Sequence, residues 1–207
     1  YKRQGLWPVL LGDDPQVVDQ LTWRLAMLSR DAPGIGDTDA FPAAAELLVD
    51  WMGDPAADPY LNDVPKHLAK LEADAEKIRA QLTARPDEAA VRAARGDRVT
   101  LALVPAAAGW EVPALLAWSG AEQAQLGGPE HHAMLQFWHD VYGAELVALG
   151  LEQMECLVEV PPAEARAAFE LAVQHYAYCP ALMDNLAPAM GALAATLFGR
   201  HWLFDWS

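Results

Sequence analysis

The chain has 207 residues, of which 53% are hydrophobic and 21% charged, enough to bury one sizeable core without disulfides or metals. Its net charge is −15, and the imbalance is steepest after residue 98, where 12 acidic residues accompany only two basic ones, Arg166 and Arg200. Because nucleic-acid binding depends on Lys and Arg neutralising phosphates, this composition argues against a nucleic-acid partner and favours a basic protein partner.

Compartment and cofactor use follow from what the sequence lacks. No apolar run reaches the roughly 18 residues that a membrane span requires, and no signal peptide is visible. Cys156 and Cys179 have neither CxxC nor zinc-ligand spacing, so we expect reduced, mostly buried thiols. GxGxxG, P-loop and GxSxG motifs are absent. These features predict a cytoplasmic protein with no membrane contact, no cofactor and no metal.

Residues 1–98 are predicted to form a strand and helices that dock on a core domain. Residues 5–12 are an apolar run typical of a strand, and Pro8 places it at a sheet edge or a bulge. Asp14 is then a helix N-cap, and residues 42–52 predict a second helix.

The most regular segment covers residues 64–82, where apolar residues recur at alternating spacings of four and three. This spacing predicts a helix with one apolar stripe. The stripe either packs on the rest of the chain or pairs with a second copy in a homo-oligomer. A further short helix is predicted over residues 86–95.

The core α+β domain is predicted over residues 99–207. Residues 154–160 alternate between two sides, as in a sheet with one covered face. Met154, Cys156, Val158 and Val160 lie on one side, and Glu155, Leu157 and Glu159 on the other. From residue 112 the predicted order is β-α-β-β-α-(α)-β, which is ferredoxin-like, in a mixed or antiparallel sheet. The predicted strands are 99–105, 112–118, 144–149, 154–160 and 200–206, and the predicted helices are 130–142, 162–178 and 185–198.

The second half resembles the bacterial family called domain of unknown function 4253. The residues that carry the resemblance are Trp110-Glu-Val-Pro-Ala114, Trp138, Tyr142-Gly-Ala-Glu145, Pro161-Pro162, Tyr176-Ala-Tyr-Cys-Pro180, Asp184 and Trp202-Leu-Phe-Asp-Trp206. The resemblance implies no activity. Ser119, Ala181 and the Ser207 end depart from the Asn, Asp and Asp usual in the family, which weighs against a shared catalytic function.

Two local clusters are candidates for chemistry. His131, His132 and His139 share one helix, but their spacing does not suit one metal ion, and we expect exposed or capping histidines. Cys179 ends a helix one turn after His175, so a Cys–His pair is conceivable, although a helix C-terminus disfavours a thiolate.

The candidate binding residues combine aromatic and acidic side chains of the second half. They are Trp118, Glu145, Tyr178, Cys179, Asp184, Trp202 and Trp206. One hypothesis is a protein-binding module that grips a basic partner, such as a toxin, with an acidic, tryptophan-bearing face. The alternative is an enzyme or ligand-binding protein whose pocket takes a small uncharged or cationic molecule; the absence of catalytic motifs favours the non-enzymatic hypothesis.

Overall fold

The computed structural model describes residues 5–28, 41–55, 57–84, 91–94 and 98–207. Within these residues the chain forms five β-strands and eight α-helices, which confirms the predicted α+β class. The strands are β1 (Trp7–Gly12), β2 (Thr100–Val104), β3 (Ala144–Leu149), β4 (Gln153–Val158) and β5 (His201–Asp205). The helices are α1 (Pro15–Leu28), α2 (Ala44–Met52), α3 (Val64–Ala84), α4 (Val112–Leu115), α5 (Gly128–Tyr142), α6 (Ala165–Tyr178), α7 (Leu182–Asn185) and α8 (Met190–Thr196).

The strands form one mixed sheet in the order β2-β1-β3-β4-β5. β1 pairs antiparallel with β2 and parallel with β3, and the β3-β4 and β4-β5 pairs are antiparallel. The predicted ferredoxin-like order is not confirmed, because residues 112–118 form α4 and the turn after it instead of a strand. Pro113 in the first helical turn, followed by Ala114, Leu115 and Leu116, favours helix over strand at this position.

Pro8 predicted a sheet edge or a bulge, and of these the edge is wrong, because β1 is an interior strand. Proline lacks the N–H that a central strand normally donates to its neighbours. The parallel contact between β1 and β3 is reduced to one bridge, Leu10 with Ala148, so the proline is tolerated without disrupting a continuous ladder. The antiparallel ladder with β2 carries a register shift between Leu10 and Gly12.

Most other predicted elements are confirmed. Helix α1 begins as expected, since the Gln16 amide donates to Asp14 Oδ1 at 2.9 Å. The single helix expected over residues 185–198 is instead α7 and α8, separated around Pro188, which cannot continue a helix. Of the helix expected over residues 86–95, most lies outside the described residues, and Arg92–Ala94 is a 3-10 turn.

The core lies on the face of the sheet that α5 and α6 cover. Met154, Cys156 and Val158 are buried on this face, as the alternation predicted. The prediction is wrong for Val160, which is exposed because β4 ends at Val158. Trp138 of α5 stacks on Phe204 of β5, with ring centroids 5.2 Å apart. Because β1 contributes to the same sheet and the same core cluster, residues 1–98 do more than dock on it; their status as a separate region stays a prediction.

The apolar stripe of α3 is used within the chain. Leu71 and Ala75 are buried, and the helix packs against α6 and α8. The stripe therefore contributes to this core, and a homo-oligomer through this helix stays a prediction.

The predictions about the cysteine thiols and about membrane spans can be compared with the structure. Cys156 and Cys179 are both free and buried, as expected for reduced thiols. Among the described residues, no helix has both the length and the apolar character needed to cross a lipid bilayer.

Gly143 connects α5 to β3, and substituting it tests how strongly this tight connection depends on glycine. Its φ of 63° is left-handed, and a Cβ added there would lie 2.7 Å from the Cβ of Glu159. We expect Gly143→Ala to lower the free energy of unfolding by about 2–4 kcal/mol, about 1–2 of which comes from the left-handed backbone. The control is Gly12→Ala, which has a φ of 69° and no neighbour within 4 Å, so it shows the backbone cost alone. Equal losses in urea unfolding would contradict the steric part.

Candidate functional site

Three of the predicted site residues, Trp118, Tyr178 and Trp206, meet around His131 inside the core. The ring of Trp206 lies 5.6 Å from that of Trp118 and 5.3 Å from that of Tyr178. His131 Nδ1 lies 2.5 Å from Tyr178 Oη, within hydrogen-bond distance. None of these four side chains is more than 9% exposed, and Trp202 is also buried. These tryptophans therefore do not form the solvent-facing surface that the sequence suggested.

The expectation of exposed histidines on α5 is wrong for two of the three. His131 and His132 are buried, because α5 packs against α2, α4 and β3 on different sides. Burial lowers the pKa of His131 to about 3, so its imidazole is neutral at physiological pH. His139 does lie at the helix end, with Nδ1 3.3 Å from the carbonyl oxygen of Ala144.

Cys179 lacks the surroundings of an activated nucleophile. Its thiol is fully buried and donates to the carbonyl oxygen of Asp205 at 3.4 Å. Burial raises the pKa of the Cys179 thiol to about 12, which keeps it protonated. The backbone amide of Cys179 donates a hydrogen bond to the backbone carbonyl oxygen of His175, and the His175 imidazole takes no part in this bond.

The two predicted acidic site residues lie apart from the aromatic cluster. Glu145 of β3 lies opposite Leu157 of β4 in the strand register, on the sheet face that points away from the core. Asp184 is exposed on α7. Within the described part of the chain, no group of three or more His, Cys, Asp or Glu side chains is arranged to hold a metal ion. Glu145 and Asp184 thus lie away from the buried Tyr178 and Trp202.

A different cavity, of about 230 Å³, involves β5, and we call it the β5-edge cavity. β5 is the last strand of the sheet, and α3 and α8 contribute apolar side chains to the cavity wall. Its polar lining comes from Arg92, His175, Thr196, His201 and Trp202. Only Trp202 of these was among the predicted site residues.

Two buried nitrogen atoms make the β5-edge cavity unusual. His175 and Trp202 are each 1% exposed, and their rings contact edge to face with centroids 4.7 Å apart. Neither His175 Nε2 nor Trp202 Nε1 has a hydrogen-bond partner among the described residues. Burial lowers the pKa of His175 to about 3, so this imidazole is neutral. The cavity wall thus carries polar atoms whose hydrogen-bonding capacity is unused.

Glu155 binds two residues of the cavity lining, His201 and Arg92. This carboxylate is 4% exposed and accepts three hydrogen bonds: from His201 Nε2 at 2.6 Å, and from the amides of Arg92 and Ala93 at 2.6 and 2.8 Å. Burial by itself raises the pKa of Glu155, but the three donors outweigh it and hold the pKa below its ordinary value of 4.5. The ionised Glu155 therefore positions two cavity-lining residues, His201 and Arg92.

Sequence patterns could have found part of this cavity. The alternation in β4 placed Glu155 opposite Met154, and the same alternation in β5 separates His201 from the core-facing Trp202. The register that brings Glu155 next to His201 requires the strand pairing, which no local pattern specifies. The contribution of Arg92 carries no sequence signal.

Comparison with known proteins gives one match. A family model described as "Domain of unknown function (DUF4253)" matches residues 100–207. The match includes Glu155, His175, His201 and Trp202 but not Arg92. Neither the curated proteins nor the solved structures contain a significant match.

The role of Glu155 can be tested through the pH dependence of stability. Its folded-state pKa is lowered, so its contribution is complete above about pH 4.5 and is lost as the pH falls through the folded-state pKa. We expect Glu155→Gln to lower the free energy of unfolding at pH 7 by about 1–3 kcal/mol. The gap from the unsubstituted protein should narrow below pH 4.5 in urea unfolding.

The control for this test is Glu159→Gln, which changes an exposed glutamate just after β4. It should leave stability within about 0.5 kcal/mol at every pH. A gap for Glu155→Gln that stays constant from pH 7 to pH 3 would show that Glu155 is not ionised in the folded protein.

Proposed function

The chain belongs to the DUF4253 family, a domain of unknown function, and from its geometry we propose that it binds a small molecule in the β5-edge cavity. The observation that carries this proposal is the pair of unpartnered nitrogen atoms, His175 Nε2 and Trp202 Nε1. A buried polar group without a partner costs about 1–3 kcal/mol. A ligand that bonds to these atoms would recover that free energy, which favours binding over an empty cavity.

The size and lining of the cavity restrict the ligand. A volume of about 230 Å³ is below the roughly 300–1,000 Å³ of sites for drug-sized molecules, so the ligand is small. Leucine side chains, including Leu193 and Leu203, form much of the wall and favour an apolar body. The indole N–H of Trp202 can only donate, so the ligand must carry a hydrogen-bond acceptor.

Binding is better supported than catalysis. The buried thiol of Cys179 is protonated and bonded to a backbone carbonyl, and it supplies no nucleophile. Glu155 resembles the carboxylate that orients a basic histidine, but its oxygens also anchor the amides of Arg92 and Ala93. We therefore propose a structural role for Glu155 and a binding role for the cavity.

A basic protein is a second candidate partner, favoured by charge alone. Residues 99–207 contain 12 acidic residues against two basic ones, and Glu164, Glu170 and Asp184 are exposed. Since the tryptophans are buried, such a partner would be steered by charge without aromatic anchors. Affinity that falls steeply between 50 and 300 mM salt, and falls again when these three residues become Gln or Asn, would support this candidate.

The small-molecule proposal is tested by fragment binding in solution. With ¹⁵N-labelled protein, the Trp202 indole N–H signal can be assigned by its loss in Trp202→Phe. We expect fragments that enter the cavity to shift this signal while leaving that of Trp23, which is 60% exposed, unchanged. If small aliphatic and aromatic fragments of every charge leave the Trp202 signal in place, the proposal is wrong.

The same substitution measures the hydrogen bond. Trp202→Phe keeps an aromatic ring but removes the N–H, and a net hydrogen bond is worth about 0.5–1.5 kcal/mol. We expect fragment affinity to fall by about two- to tenfold in ligand-observed titrations. Trp23→Phe is the matched control and should leave the affinity unchanged.

A further inference from the structure

The polar lining of the β5-edge cavity differs in charge from the rest of the protein. The chain has 29 acidic and 14 basic residues, yet no Asp or Glu lines this cavity among the described residues. The lining includes the guanidinium-bearing Arg92, the imidazoles of His175 and His201, and the indole of Trp202. Among the described residues the lining therefore carries one guanidinium and no carboxylate, although the protein as a whole is acidic.

Glu155 is the nearest candidate to neutralise these donors, and it is already engaged. Its carboxylate bonds to His201 and to the backbone amides of Arg92 and Ala93. The Arg92 amide is held, but its guanidinium pairs with no carboxylate among the described residues. Arg92 thus has a fixed backbone and a side-chain charge that is free to meet a ligand.

We infer that the ligand of the β5-edge cavity is a small carboxylic acid, bound as its carboxylate by Arg92, with its apolar body among the leucines. This inference rests on the proposed function and names its ligand class. A guanidinium matches a carboxylate through two parallel hydrogen bonds, which neutral acceptors cannot form with the same strength. Among the described residues the cavity lining carries the Arg92 guanidinium and no carboxylate, which favours an anionic group.

Apart from Glu155, whose carboxylate is already bonded to three donors, the acidic residues of the described chain lie outside the contacts of the cavity lining. At 0.15 M salt the screening length is about 8 Å, so distant surface carboxylates contribute little, whereas a direct Arg92 contact is screened much less. A small anion can therefore bind this acidic protein at physiological ionic strength. Because the cavity wall lacks carboxylates, a cation of the same size gains no partner there.

The test compares hexanoate with hexanamide and hexylamine, three probes with similar chains and different charges. Each is titrated into the full chain at pH 7.5 and 150 mM NaCl, and the Trp202 indole signal is followed. We expect hexanoate to bind at least tenfold more tightly than hexanamide, and hexylamine to bind least.

Substitutions of Arg92 distinguish the contribution of its guanidinium to binding from the contribution of its backbone amide to the fold. Arg92→Gln removes the charge but keeps the backbone amide that Glu155 binds, so the fold is preserved. We expect it to reduce the preference for hexanoate over hexanamide to less than threefold, and Arg92→Lys to give an intermediate value. Arg166→Gln, an exposed charge outside this cavity, should leave the preference unchanged.

Each outcome decides between the two proposals. Equal or tighter binding of hexanamide or hexylamine, or a hexanoate preference that survives Arg92→Gln, would overturn the carboxylate inference while the cavity remains a binding site. A Trp202 signal that moves with none of these probes but moves with other neutral fragments would also overturn the inference alone. A signal that moves with no fragment would overturn both.

Discussion

A buried carboxylate is stable only when hydrogen-bond donors surround it. The donors that Glu155 binds determine where two residues of the candidate site lie. Its oxygens collect one imidazole N–H from β5 and two amides from the Arg92–Ala94 turn, segments that lie more than a hundred positions apart in the chain. The Arg92–Ala94 turn also packs against β1, and Glu155 ties its amides to β4. Removing a charged group of this kind from water costs several kcal/mol, so the donors must be present together for the arrangement to be stable. Two polar residues of the β5-edge cavity, Arg92 and His201, are positioned by this one side chain.

Much of the fold could be predicted from local patterns, because period-2 and period-3.6 alternation, helix caps and prolines act over short distances. The structure confirms the predicted N-cap at Asp14. It also confirms the predicted burial of Met154, Cys156 and Val158 on one face of β4. Residues 112–118 were not, because a run containing Val112, Leu115 and Leu116 suits a buried helical turn as well as a short strand. The position of β1 was also missed, since Pro8 carries information about hydrogen bonding and none about which strand lies beside it.

The candidate site was the part least visible in the sequence. Tryptophan is common both in cores and at interfaces, and composition does not distinguish the two. Trp118, Trp138 and Trp206 satisfy or bury their indoles against other aromatic rings, so they serve packing. Trp118, Trp138 and Trp206 also contact a neutral imidazole. Trp202 differs from them by lining a cavity together with His175, a relation that depends on the packing of α6 against β5. Histidines were misjudged for the same reason, because a neutral ring is an acceptable core residue once burial has lowered its pKa.

The interior position of β1 also affects the order in which the molecule can be completed. Neighbouring strands in a sheet lie about 4.8 Å apart, so β2 and β3 are separated by a gap of nearly 10 Å that only β1 fills. The segment matched by the family model starts at residue 100 and therefore includes both sides of that gap without the strand between them. During synthesis β1 emerges first and has no partner until β2 and β3 follow, about ninety and one hundred and thirty residues later. The nascent chain thus carries an unpaired apolar strand while the residues up to β2 and β3 are translated, and chaperones that shield such strands could act on it during that interval.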